Sequence, residues 1–269
     1  MNEKSLFGFL QLAYSSNELI GLESFFEAPE KPSDSMSNYF IQEVAGRDSI
    51  AAMSKFLQVS KDRYSGVILA AALAPTEYGE LEYLYRSLLT AAEIAKSNGL
   101  EYYFSVSRSV FAWKELVASN ALANSIEYGF YTTCLGCHLY LHLLRGVLSV
   151  QTGASPVVSG ERYFHRVRIK INQSPEAIKA YEKVLESQGV KIVFPIFELD
   201  DESQLLKLLP RFWEEGKEQL KCLFTGSSKL DKDSYRQIRK SLIRYLENFL
   251  IPRGIEVFTS LLEGRQALY

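Results

Sequence analysis

Cysteine is scarce in this chain: three occur in 269 residues, Cys134, Cys137 and Cys222. A small, odd number argues against a disulfide framework. Charge of one sign is lacking too. The formal net charge is −2, which argues against a dominant nucleic-acid-binding field, though not against a local basic patch. No apolar run reaches membrane-spanning length, and the opening Met1-Asn2-Glu3-Lys4 lacks the shape of a secretory signal. The expected location is therefore cytoplasmic, with no membrane partner. Internal repeats and low-complexity tracts are also missing. What is left, 47% hydrophobic and 23% charged residues, is the composition of an ordinary globular protein.

The informative stretch runs from Tyr39 to Leu57. An extended apolar run feeds the turn Ala45-Gly46-Arg47-Asp48-Ser49, which opens into an amphipathic helix. Such a strand–turn–helix aims the free N–H groups of the helix's first turn, and the positive end of its dipole, at an anion in front of the sheet. Gly46 would let a phosphate approach the backbone without meeting a Cβ, and Ser49 could add a hydroxyl donor. Asp48 would hold Mg²⁺ or cap the helix. The alternative is an ordinary βα turn with an N-cap.

The segment 6–26 could be one helix or a pair of short elements, and the Pro/Ser-rich run 28–38 reads as a connector. Residues 1–38 are thus an expected appendage. Beyond the first strand and helix, residues 66–74 form a continuous apolar run suited to a buried parallel strand. A helix over 80–97 with an Asn98-Gly99 stop, a strand over 100–106 and a helix over 110–123 follow. Two βαβ crossovers in succession imply a parallel, helix-covered sheet. A helix should follow Cys134-Leu-Gly-Cys137-His138, then turn, strand and turn over 153–160. Residues 161–170 alternate basic and apolar side chains, and Ser174-Pro175 opens a helix to Ser187. A strand is expected over 190–197 and helices over 201–220 and 234–250. The reading is an α/β protein: a Rossmann-like parallel sheet with helices on both faces over 39–200, and a mostly helical region over 201–269.

Two thiols three positions apart, entering a helix, can ligate one metal or cluster, and the fold could bring Cys222 to them. Three thiolates suit a 4Fe–4S cluster with one open iron, or a zinc completed by His138 or water. The alternative is three unconnected thiols, since free cysteine often serves as a small core residue, and Cys222 is the weakest member of the set. Cys-Leu-Gly-Cys-His also matches the c-type haem attachment pattern, but that attachment needs an oxidising compartment. A thioredoxin-like pair is disfavoured because the motif falls after several βα units. His142, among leucines, reads as a satisfied histidine.

The order of these features resembles the PP-loop ATP pyrophosphatases of the adenine-nucleotide α-hydrolase type. Those carry Ser-Gly-Gly-x-Asp-Ser between the first strand and helix, and many place a CxxC entering a helix after the third strand, then Gly-Ala, an apolar strand and a Thr/Ser-Gly turn. Residues 45–49 fall on the last five positions of the first motif, with Val44 in place of its Ser and Ala45 in place of its first Gly. Cys134 and Cys137 fall on the CxxC, Gly153-Ala154 on the Gly-Ala, and Ser159-Gly160 on the late turn. Members pairing a CxxC with one distant Cys look like the iron–sulfur-dependent tRNA thiolation enzymes. The resemblance implies that an acceptor carbonyl oxygen attacks the α-phosphate of ATP, and that sulfur then displaces AMP. By carry-over Gly46, Asp48 and Ser49 would hold pyrophosphate and Mg²⁺, with Arg47 forking onto phosphate oxygens. Ser159 and Gly160 would close the nucleotide pocket, while Arg162 and His165 would supply a charge clamp or proton carrier. Cys134, Cys137 and Cys222 would hold a 4Fe–4S cluster, with zinc the alternative. Implied partners are tRNA or another nucleobase substrate and a sulfur donor; a homodimer is left open. The rival functions are a non-catalytic nucleotide- or metal-binding module of this fold, and an amide-forming ligase with structural zinc. Arg236, Lys240 and Arg244 on one helix face, with Arg166, Arg168 and Lys170, could grip RNA phosphates, unless they are simply solvated.

Overall fold

The computed structural model describes residues 3–21, 25–26, 36–165, 168–211, 213, 219–224 and 229–264. Helix α1 (Glu3–Ser15) leads into two short strands, β1 (Glu18–Leu19) and β2 (Phe25–Phe26). Then come β3 (Tyr39–Glu43), α2 (Arg47–Ser60), β4 (Gly66–Ala72), β5 (Glu77–Tyr78), α3 (Leu81–Ser97) and β6 (Glu101–Ser109). Helices α4 (Val110–Leu116), α5 (Ala121–Tyr128) and α6 (Thr133–Thr152) follow, then β7 (Val157–Val158), β8 (Phe164–His165), β9 (Arg168–Lys170), α7 (Pro175–Glu186) and β10 (Ile192–Val193). Last are α8 (Glu202–Lys207), β11 (Lys221–Cys222), β12 (Lys229–Leu230), α9 (Lys232–Tyr245), a π-helical turn (Leu246–Leu250) and α10 (Ile251–Leu262).

The central sheet has the order β1-β6-β4-β3-β7-β10, with β2 also on β6. Every pairing from β6 to β10 is parallel, while β1 and β2 run antiparallel along β6 and cover its edge. The chain winds outward from β3 through β4 to β6, then returns to the other side of β3 for β7 and β10. The reversal falls between β3 and β7, the point at which parallel α/β sheets open a crevice at their carboxyl ends.

Alternation within the strands splits the interior into two cores. Phe40, Val67, Leu69, Ala71 and Val158 face a layer made by α1, α2 and α3. Ile41, Ile68, Ala70 and Val157 face α4, α6 and α7, with the two C-terminal helices packed behind. A strand covered on both faces must be apolar at every position, which is why residues 66–72 form an unbroken hydrophobic run. The mixed α/β class with a parallel-dominated, helix-covered sheet is therefore present as expected.

Several expected elements are shorter or divided. Only Ile192–Val193 is strand within 190–197, because Pro195 has no N–H to give a ladder. The helix expected over 201–220 is limited to Glu202–Lys207 and ends before Pro210; residues 212 and 214–218 lie outside the described residues. Residues 110–123 divide at Val117-Ala-Ser-Asn120, where a β-branched residue and two side chains that compete for the backbone interrupt the ladder. The C-terminal segment is a full helix with Pro252 in its first turn. Contrary to expectation, α6 is long and apolar enough to cross a membrane; 72% of that window, however, is buried inside the protein.

Candidate functional site

The residues singled out by sequence gather at the carboxyl ends of the parallel strands. In the turn after β3, the Ser49 hydroxyl accepts from Ala45 N at 3.0 Å and Gly46 N at 3.1 Å, and donates to Gly46 O at 2.7 Å. Ser49 therefore closes the turn on itself rather than facing a ligand. The place a Cβ on Gly46 would take lies 2.7 Å from the Gln219 side-chain oxygen, so that exposed side chain lines the front of the turn. Glu43, at the end of β3, accepts from Ser159 Oγ at 2.5 Å and Gly160 N at 2.8 Å, and pairs with Arg145 at 3.2 Å. Burial alone would raise the pKa of Glu43, but the Arg145 guanidinium and the Ser159 hydrogen bond hold the carboxyl below its usual range. Gly160 in turn packs against the start of α2: an added Cβ would fall 2.5 Å from Ser49 N. The turns after β3 and β7 are thus one assembly.

Four charged side chains cover it. Arg162, 1% exposed, reaches Asp48 at 3.6 Å and Glu202 at 3.2 Å. Arg47 pairs with Asp48 at 3.4 Å and with the other Glu202 oxygen at 2.6 Å. A carboxylate from α8 therefore sits between two guanidiniums, where a phosphate group would be bound. Arg162 Nε is buried and is the atom that faces Asp48 at 3.6 Å, beyond hydrogen-bond length. Lys170 on β9 lies beside this group; burial pulls its pKa down against the opposing charges of Asp48 and Glu161. The side chain of His165 lies outside the described residues, as does Arg166.

The three thiols are brought together from distant parts of the chain. Cys134 and Cys137 lie in the first turns of α6, and β11 pairs antiparallel with β5 so that Cys222 stands opposite Glu77. Burial pushes the Cys137 thiol well above its ordinary pKa, and the negative charges of Glu77, Cys222 and Cys134 push it further. The Tyr131 phenol, raised first by burial, likewise feels all three thiols. Cys222 Sγ accepts from Phe224 N at 3.4 Å and lies 3.9 Å from Thr76 Oγ1. Burial pushes the Glu77 carboxyl up to about 7, although Ala74 N donates to it at 2.7 Å. Among the described residues, no three His, Cys, Asp or Glu stand close enough together to hold a single metal ion as they are. A metal centre here must span wider spacings or draw the thiols inward.

His138 does not complete this set. Its Nδ1 lies 2.6 Å from Glu161 and its Nε2 lies 2.7 Å from Asn172 Nδ2. His142, one helical turn on, is buried and reaches the same Glu161 oxygen at 3.1 Å, and Gln173 donates to the other. Glu161 is buried, yet the two imidazoles hold its carboxyl well below the usual range, outweighing the burial that would raise it. One carboxylate thus links the helix carrying the CxxC pair to the turn carrying Ser159, Gly160 and Arg162.

Arg236, Lys240 and Arg244 stand exposed along α9 at four-residue spacing, as the expected basic face requires. Arg236 pairs with Asp233 at 3.4 Å and Arg244 lies 5.8 Å from the Tyr128 ring centre. Arg168 and Lys240 are exposed, while Lys170 turns toward Asp48 and Glu161.

Sequence reasoning missed Glu43, Glu77, Arg145, Glu161 and Glu202. The i,i+4 spacing of His138 and His142 was the available signal for a shared acidic partner; nothing local marks Glu77 or Glu202.

No protein-family model matches the chain. An uncharacterised protein of Methanocaldococcus jannaschii is 26% identical over 253 residues, which cover 93% of this chain and 90% of that protein. Among solved structures, the U34-tRNA thiolase NcsA of Methanococcus maripaludis, solved with its 4Fe–4S cluster, is 14% identical with a TM-score of 0.39. The match covers 98% of this chain and 78% of that one, and a score this low supports no conclusion about shared fold or activity.

Proposed function

We propose that this protein is an ATP-dependent enzyme of the PP-loop type, with a Rossmann-like sheet, that adenylates a nucleobase of tRNA and replaces its oxygen by sulfur. The observation that carries the reading is that Cys137 lies within charge range of both Cys134 and the distant Cys222, in a fold whose turns also build the Asp48–Arg162 cleft. Thiols that come from α6 and from β11, far apart in sequence, gain nothing in packing alone that any small apolar residue would not supply.

The donor chemistry fits a 4Fe–4S cluster. Three thiols would hold it, with Cys137 close enough to Cys134 and Cys222 to feel their charges, and both ring nitrogens of His138, the imidazole that would complete a zinc site, are engaged elsewhere. Cys134, Cys137 and Cys222 would hold such a cluster, which would supply a Lewis-acidic iron. Binding it would require the thiols to lose their protons, and a bound cation supplies that driving force. At the other end of the site, Arg47 and Arg162 take the phosphate oxygens of ATP in place of the Glu202 carboxylate, and Asp48 holds Mg²⁺. Ser49 and Glu43 keep the two phosphate-facing turns rigid, so their geometry is set before ATP arrives. The acceptor's carbonyl oxygen attacks the α-phosphorus and pyrophosphate leaves; sulfur then adds to the activated carbon and AMP leaves with the oxygen.

The test is anaerobic purification with iron and sulfide analysis, alongside calorimetric titration with Mg·ATP. About four irons per chain are expected, lost when any one cysteine is replaced by alanine. Mg·ATP binding should be abolished in Asp48→Ala. Protein that holds no iron and binds no Mg·ATP overturns the reading.

A further inference from the structure

We propose that Glu202 sets the affinity of the cleft between Arg47 and Arg162: its carboxylate holds the place of a phosphate group, and α8 must release it before a phosphate-bearing ligand enters. This rests on the reading of the cleft as the phosphate site for ATP and adds a residue that opposes binding there.

The carboxylate is presented as a phosphate would be. One oxygen lies 2.6 Å from Arg47 and the other 3.2 Å from Arg162, so each guanidinium takes a separate oxygen of one anion. Arg162 is 1% exposed, and its Nη1 donates to Glu202, whereas Asp48 stands beyond hydrogen-bond length at 3.6 Å. A phosphate-bearing ligand needs these same two guanidiniums. Its charge exceeds that of one carboxylate, so it can displace Glu202, at the cost of breaking both pairs.

The helix that carries Glu202 is lightly held. With 6 residues, α8 is too short to be stable by itself and depends on what it packs against. Leu205, its buried side chain, joins Ile196, Ala51 and Ala52 in a small cluster separate from the two main cores. Two of those four are alanines, which offer little apolar area to bury. A cavity lined by Lys55, Ile196, Gln204 and Leu208 lies between α8 and α2. An element with few buried contacts opens at low cost. The cap of α8, meanwhile, is local: Asp201 accepts from Ser203 N at 2.8 Å, so the helix need not unwind when Glu202 lets go.

The consequence is opposite in sign to that for an ordinary binding residue. A ligand that needs the open state has an apparent affinity reduced by the fraction of molecules that are open. Removing the carboxylate therefore strengthens binding.

Calorimetric titration with magnesium pyrophosphate compares wild type with three variants. Glu202→Gln keeps the side-chain shape and withdraws the charge. Binding should tighten about ten-fold, equivalent to about 1.4 kcal/mol, while the melting temperature of the unliganded protein falls because Arg162 loses its partner. Leu205→Ala leaves every charge in place and loosens α8 on α2; binding should tighten here too, which carries the test independently of charge. Asp200→Asn makes the same change in net charge at an exposed position and should alter binding little. Unchanged or weaker binding in Glu202→Gln, no gain in Leu205→Ala, or an equal gain in Asp200→Asn overturns the proposal and leaves the ATP reading intact. If neither wild type nor Glu202→Gln binds magnesium pyrophosphate, the proposal and the ATP reading of the cleft fall together.

Discussion

Glu43→Gln tests whether the two turns at the sheet edge are held by a buried ion pair. The substitution is nearly isosteric, and its amide oxygen can still accept from Ser159 or Gly160. What it removes is the negative charge opposite Arg145, whose guanidinium lies 3.2 Å away and is 1% exposed. Removing one partner of a buried pair leaves the other charge uncompensated, which costs about 3–5 kcal/mol. At about 2–4 °C per kcal/mol for a domain of roughly this size, the melting temperature of metal-free protein should fall by about 6–20 °C. The double variant Glu43→Gln/Arg145→Met should recover most of that loss, because it no longer strands a charge. pH supplies a further check. The folded carboxyl sits below its ordinary value of 4.5, so its stabilisation is complete above about pH 4.5 and is lost as pH falls through the folded pKa. The gap between wild type and Glu43→Gln in urea unfolding should therefore be constant from pH 6 to 8 and narrow in acid. A loss below about 1 kcal/mol, or a double variant no more stable than the single, would refute the reasoning.

Three other substitutions probe separate parts of the structure. Gly160→Ala would place a Cβ 2.5 Å from Ser49 N and 2.7 Å from Asp48 C, backbone atoms that cannot swing aside; calorimetry should find Mg·ATP binding weakened at least about ten-fold, the scale of 1.4 kcal/mol. Ser174→Ala removes the buried cap of α7, whose hydroxyl accepts from Ala177 N at 3.3 Å and donates to Ile171 O at 2.8 Å; urea unfolding should show a loss of about 1–2 kcal/mol. Gly136→Ala drives a methyl group to 2.4 Å from Leu116 O, where α6 meets the end of α4; chemical unfolding should show a loss of about 1–3 kcal/mol, with the neighbouring thiol pocket disturbed in its iron content.

Local pattern was enough for the elements that bury one continuous face or carry their own stop signals. The unbroken apolar run after Gly66, the amphipathic α3 ending at Asn98-Gly99, and Ser174-Pro175 opening α7 all appear where their residues place them. It was not enough where proline or polar side chains broke a hydrophobic stretch, as at Pro195 and Pro210. The turn after Glu43 shows the same division. Its position was legible from the strand–turn–helix pattern, but the use of the Ser49 hydroxyl to close the turn on itself was not.

Residue types and spacing alone determined that this is an α/β chain with a parallel sheet, a tight turn poised at a helix start, and a cysteine pair entering a helix. Only the tertiary structure decided that Cys222 comes within charge range of Cys137, that it stands opposite Glu77, and that Glu202 bridges Arg47 and Arg162. The reason is physical. Helix and strand periodicities arise from neighbours a few positions apart, whereas a charge or thiol acquires its partner from the crossing of elements more than a hundred residues apart, and no local propensity encodes that choice.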